Sequence, residues 1–162
     1  MIEKKITTTF YQTDFSSLNS EEKDLVNRAK NSLEAAYAPY SGFLVGATVL
    51  LENGEIISGN NQENVAYPSG LCAERVAIFY AGANFPNVKI KTIAITAVSK
   101  KFEIKDIISP CGACRQAIAE YEVKQENDIR ILLHHPDDSI LIVNAVSDLL
   151  PFMFKSKELK NY

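Results

Sequence analysis

All three cysteines of this 162-residue chain fall in two short stretches, Cys72-Ala73-Glu74-Arg75 and Pro110-Cys111-Gly112-Ala113-Cys114, and any fold must account for that placement. Each stretch follows a loop and opens a helical pattern. A thiol there lies against the free N–H groups and positive dipole end of a helix, where an anion is stabilised and the thiol ionises readily. Cys111 and Cys114 are one helical turn apart, so their sulfurs can face one side, and a sulfur from the second helix start completes a trigonal set for a divalent ion. The two helix starts must then be neighbours. Thiolates favour zinc, and three protein ligands leave the fourth tetrahedral position to water, which separates catalytic from closed structural zinc. An odd number of cysteines in a chain without a secretory pattern argues against a disulfide framework.

Other ligand types are scarce. His134 and His135 are the only histidines; they adjoin Pro136-Asp137-Asp138 at a strand end and read as part of a solvated turn. Neighbouring strand residues point to opposite faces, so at most one could reach a shared ion. Glu74 stands two residues past Cys72, too close to be a comfortable co-ligand but near enough to hydrogen-bond a zinc-held water as general acid and base. The alternative for Glu74 is a solvated carboxylate in a first helical turn.

The rest of the chain supplies an α/β frame. Residues 1–18 read as a polar N-terminal extension with a weak strand-like alternation at Ile6, Thr8 and Phe10, and 19–162 as a single catalytic domain. Ser20 ahead of Glu21 and Glu22 predicts a helix N-cap, with Val26, Ala29, Leu33, Ala36 and Tyr37 at helical spacing up to Pro39. Phe43–Leu51 is small or apolar throughout, as in a strand covered on both faces, and Asn53-Gly54 predicts a hairpin into Glu55–Ser58. Cys72–Gly82 predicts a helix stopped by Gly82, Ile90–Val98 a strand, Cys111–Tyr121 a helix opened by Pro110, and Ile129–His134 and Ile140–Val143 two more strands. Helices between strands imply a layered α/β fold, parallel in its second half. With a formal charge of −3, the chain lacks the basic stripe of a polynucleotide binder. It also has no apolar run near the roughly 18 residues of a bilayer span, so no membrane partner and a cytoplasmic setting are expected.

Cys72-Ala73-Glu74 together with Pro110-Cys111-Gly112-Ala113-Cys114 resembles the zinc-dependent cytidine deaminases, in particular the small homotetrameric type with three cysteine ligands. Tyr40-Ser41-Gly42-Phe43-Leu44-Val45-Gly46-Ala47, Asn61-Gln62-Glu63-Asn64 and Leu149-Leu150-Pro151-Phe152-Met153-Phe154 are similar to further motifs of that family. The resemblance implies a three-layer α/β/α fold with a mixed five-stranded sheet, and one zinc per chain on Cys72, Cys111 and Cys114 at two helix N-termini. It implies Glu74 as proton carrier and a pyrimidine nucleoside as the small-molecule substrate, with no nucleic acid. Phe43 would line the base pocket and also serve as a core aromatic; Asn61 and Glu63 would hold the ribose hydroxyls. Ala73 and Tyr67 fall at substrate-side positions, and Phe154 would enter a neighbouring subunit's site. Arg75 would relieve the negative charge of three thiolates by hydrogen-bonding ligand sulfur. Gln62 and Lys155-Ser156-Lys157 depart from the family pattern, touching the ribose loop and the inter-subunit lid. A deaminase of another amino-heterocycle, of the blasticidin S type, shares the zinc motif, and a non-catalytic zinc module remains open as a reading from a different class.

Overall fold

A strand that is apolar at nearly every position is stable where protein covers both its faces. The computed structural model, which describes residues 1–156 and Leu159, places Phe43–Leu51 in that setting. Val49 and Leu51 face one core with Ile93, Ile95, Ile131 and Leu133; the intervening Leu50, Ala94 and Leu132 face the other. The elements run β1 (Tyr11–Asp14), α1 (Ser20–Ser32), β2 (Phe43–Leu51), β3 (Ile56–Asn60), α2 (Ala73–Asn84), β4 (Ile90–Ser99), α3 (Gly112–Gln125), β5 (Arg130–His134) and β6 (Ser139–Val143). They build a sheet in the order β1-β6-β5-β4-β2-β3. β4 and β5 pair in parallel through the α3 crossover, whereas β5 and β6 form an antiparallel hairpin. Leu25 and Val26 of α1 fill the core on one face; Ala77 and Ile78 of α2 and Ile118 of α3 fill the other. The three-layer α/β/α arrangement follows. Among the described residues no helix is long and apolar enough to cross a membrane.

The sheet has six strands, not five. The sixth is β1, and it lies after the alternation at Ile6, Thr8 and Phe10, which form no strand. The partner strand sets this limit. Tyr11 faces Ile142, one residue short of the end of β6, and the Thr9 amide turns to the Asp148 carboxylate instead. Asn19, not Ser20, caps α1: its side chain accepts from the Glu22 amide at 2.9 Å while the Glu22 carboxylate accepts from the Asn19 amide. α1 ends at Ser32 in a 3₁₀ turn, which frees Tyr37 to pair its backbone with Asn61 and Glu63. The strand after the hairpin starts at Ile56 and runs on to Asn60, delivering Asn61 directly to the site. α2 continues past Gly82 to Asn84. Gly82 is there for space, since a Cβ would stand 2.2 Å from the Tyr121 hydroxyl of α3.

Gly46 has the same kind of role on the opposite face, where a Cβ would lie 2.0 Å from the Ala29 carbonyl and 2.5 Å from the Ser32 hydroxyl. Backbone cannot yield as a flexible side chain can. Gly46→Ala is expected to lift α1 from β2 and lower stability by about 3 kcal/mol, a fall in Tm of about 6–12 °C by thermal denaturation.

Candidate metal centre and active site

α2 begins at Ala73 and α3 at Gly112, so Cys72 and Cys111 occupy the N-cap positions. Both have extended backbone, and neither uses its side chain to close the cap. Ser or Asp would normally turn back onto those N–H groups. Here they stay free to stabilise negative charge on sulfur. Because α2 and α3 pack on the same face of the sheet, their starts meet: Cys72 and Cys111 Sγ are 3.9 Å apart, and Cys111 and Cys114 Sγ are 3.5 Å apart. Sulfurs about 2.3 Å from a tetrahedral zinc lie roughly 3.8 Å from one another, so the trio fits the ion. Among the described residues, Cys72, Cys111 and Cys114 are the one group of three or more His, Cys, Asp or Glu placed to hold a metal.

His134 and His135 stand apart from this centre, but they are not solvated: they are 4% and 8% exposed. His134 bonds Thr96 Oγ1 at 2.8 Å and Asp138 Oδ1 at 3.0 Å, and His135 Nε2 bonds the Ile104 carbonyl at 3.0 Å. They are satisfied core residues.

The charge of the site follows from its surroundings. A hydrogen bond from Cys114 brings the Cys72 thiol down to about 5 against its partial burial, and Arg75 Nη2, 4.0 Å from Cys72 Sγ, adds to that fall. The same bond, with burial, pushes Cys114 up. Glu74 is 4% exposed, and burial pushes its carboxyl up to about 7. Its Oε2 is buried with no hydrogen-bond partner, as is Arg75 Nε. A solvated carboxylate is therefore excluded for Glu74, and an unpaired buried oxygen is stable only if something else meets it.

Beside the sulfurs lies a cavity of about 390 Å³, lined by Phe43, Asn61, Glu63, Tyr67, Cys72 and Glu74 among others. Phe43 stacks on Phe102 at 6.1 Å between ring centroids, and Tyr67 meets Tyr40 edge-on at 6.2 Å. Asn61 has a structural duty as well: it accepts from the Val45 amide and donates to the Phe43 carbonyl, pinning the start of β2. Glu63 accepts from the Tyr40 and Ser41 amides and the Ser41 hydroxyl; that hydroxyl is the main cause that holds its carboxyl below the usual range. Gln62 pairs its backbone with Leu71 and turns its side chain to Asn60. Ala73 is fully buried and Phe154 points outward, 72% exposed, and neither lines this cavity. Lys155 and Ser156 are described, whereas Lys157 lies outside the described residues.

The reading from sequence passed over Ser41, Arg115 and Gln116. Ser41 was legible, since a hydroxyl residue ahead of a Gly turn can fold back on its own backbone, and its Oγ does accept from the Phe43 amide. Gln116 carried no local signal, because its partner Phe154 is distant in sequence, and Arg115 ties the nearby Pro110 carbonyl to the distant Leu149 carbonyl.

Residues 19–126 match the family model described as the cytidine and deoxycytidylate deaminase zinc-binding region. A cytidine deaminase of Halalkalibacterium halodurans is 36% identical over 137 residues, 85% of this chain and 96% of its own length. A cytidine deaminase of Sporosarcina psychrophila is 44% identical over 97 residues, 60% of this chain and 67% of its own. The crystal structure of cytidine deaminase from Burkholderia pseudomallei superposes with a TM-score of 0.70 at 34% identity, covering 82% of this chain and 98% of that one. On the match of its residues 19–126, and with relatives alike over most of their length, the chain belongs to the cytidine and deoxycytidylate deaminase family by its zinc-binding region.

Proposed function

We propose that the protein hydrolyses cytidine and 2′-deoxycytidine to uridine and 2′-deoxyuridine with release of ammonia. The observation that carries this reading is the buried carboxylate of Glu74, with an unpartnered oxygen, in the same cavity as Cys72 and Cys111. Cys72, Cys111 and Cys114 would hold a zinc ion, which when bound would supply Lewis-acid activation of a water for attack on C4 of the ring. Glu74 carries one proton of the attacking water to N3 and the second to the amine, which leaves as ammonia while the oxygen stays on C4, so one carboxyl acts as base and then as acid. Arg75 offsets the single net negative charge of three thiolates on a divalent ion, a role supported by its approach to Cys72 Sγ.

Phe43 packs against the base, and Asn61 and Glu63 hold the ribose hydroxyls. Glu63 is negatively charged at the sugar end, so a 5′-phosphate or a polynucleotide backbone is repelled and the free nucleoside is preferred. Its carboxylate still has one oxygen with a single donor, Oε1, available to a hydroxyl. Ala73 acts through its backbone at the helix start. The catalytic domain spans 19–162, and of the extension 1–18 the strand β1 joins its sheet at the edge and Leu18 its core. The working form is a cytoplasmic homotetramer in pyrimidine salvage, where Phe154, and Tyr67 near the contact, serve sites shared between subunits; the exposure of both rings supports that role.

The test is direct. Purified protein with one zinc per chain is expected to release ammonia from cytidine in step with uridine; full zinc with no amine released from either nucleoside returns the chain to a non-catalytic zinc module. Glu63→Gln is expected to raise KM for cytidine about 10-fold with kcat little changed, as loss of a charge-assisted hydrogen bond requires.

A further inference from the structure

Two adjacent residues of α3, directly after the ligand Cys114, grip both ends of the segment 149–154. Arg115 donates from Nε to the Pro110 carbonyl and from Nη1 to the Leu149 carbonyl, each at 2.7 Å. Gln116 donates from Nε2 to the Phe154 carbonyl at 2.7 Å and accepts the Phe154 amide on Oε1 at 2.9 Å. A side-chain amide that both gives and takes at one residue copies the pairing of a β-ladder, and it fixes the backbone from which the Phe154 ring departs. Between the two grips Met153 turns inward to the core, while Phe152 and Phe154 are 87% and 72% exposed. A segment with its backbone held at each end and its aromatic rings outward is built to present those rings to something outside this chain.

We infer that Gln116 is a positioning residue for the deamination: it sets the Phe154 ring for the neighbouring subunit's base pocket. This rests on the reading that Phe154 serves a neighbour. Gln116 does not line the cavity, and its side-chain hydrogen bonds go to Phe154, so its effect on the reaction is expected to run through Phe154. The same helix start carries Cys111 and Cys114, so the hold on Phe154 is anchored to the rigid part of the metal centre.

The experiment compares the parent with Gln116→Met, which keeps volume and removes both bonds, and Gln116→Glu, which keeps only the acceptor. Gln116→Met is expected to raise KM for cytidine about 10-fold, the effect of losing two hydrogen bonds, with kcat within about 2-fold, zinc at one per chain and Tm little moved. Gln116→Glu falls between. In a Phe154→Ala background Gln116→Met is expected to add nothing, because two residues acting in series are not additive. Since the chain has no tryptophan, Phe154→Trp provides a single tryptophan that can be excited apart from the seven tyrosines, and its anisotropy is expected to drop when Gln116→Met is added. An equal KM penalty with and without Phe154, or loss of zinc in Gln116→Met, makes the role structural and overturns the inference. Phe154→Ala with unaltered KM sinks the shared-site reading and the inference with it, whereas a raised KM in Phe154→Ala beside an unaltered Gln116→Met sinks the inference alone.

Discussion

Glu74→Gln is expected to lower kcat for cytidine by on the order of 10³- to 10⁴-fold, the range that general acid–base groups supply, while zinc stays at one per chain. The substitution preserves shape and removes only the capacity to take up and return a proton. Its second effect has the opposite sign. Glu74 is 4% exposed with an unpartnered Oε2, and an unpaired charge in that position costs more than a neutral amide of equal volume. Tm is therefore expected to hold or rise as the rate collapses, the trade found where an active site keeps a destabilising group for its chemistry. Steady-state ammonia release and a thermal scan of the same preparation check both. A kcat within 10-fold of the parent would remove Glu74 from the proton path; a matching loss of zinc would make it a structural support of the centre.

Much of this site was legible because zinc chemistry is demanding about residue type and spacing. Cys72, Cys111 and Cys114 had to converge if they shared an ion, and that requirement alone predicted two adjacent helix starts, which α2 and α3 provide. The doubly apolar pattern of Phe43–Leu51 likewise specified a strand between two layers. What escaped depended on partners far along the chain. Strand β1 forms where β6 offers it a register, not where the residues alternate best. Gly82 reads as a helix stop until Tyr121 is seen against it. His134 and His135 look like turn residues beside Pro136-Asp137-Asp138, yet Thr96 of β4 and the Ile104 carbonyl give them buried partners that no local pattern announces. Asn61 illustrates the mixed case: its motif pointed to substrate, and its two bonds to β2 show that the same side chain also builds the wall of the cavity.

Removing zinc with a chelator is expected to abolish ammonia release and to lower Tm by about 8–16 °C relative to protein held at free zinc 1,000-fold above its Kd, the linkage value for a ligand bound only by the folded state. The size of the shift follows from where the ligands sit. Cys72 caps α2 and Cys111 caps α3, and neither side chain closes its own helix start, so an ion held there would be the common tie between two helix ends. Without it the thiols are left to share protons at 3.5–3.9 Å, a far weaker link than metal–sulfur bonds. Cys114→Ser is the chemical counterpart: it exchanges a fully buried soft ligand for a hard hydroxyl and is expected to reproduce most of the loss in zinc content and Tm. Cys111 is exposed, which gives the ion a route back, and added zinc is expected to restore Tm and turnover together in the parent but not in Cys114→Ser. Chelated protein that still deaminates cytidine would refute the zinc-dependent reaction. Turnover lost with Tm unmoved would show instead that the helix starts are held by packing alone and that the metal serves the chemistry without supporting the fold.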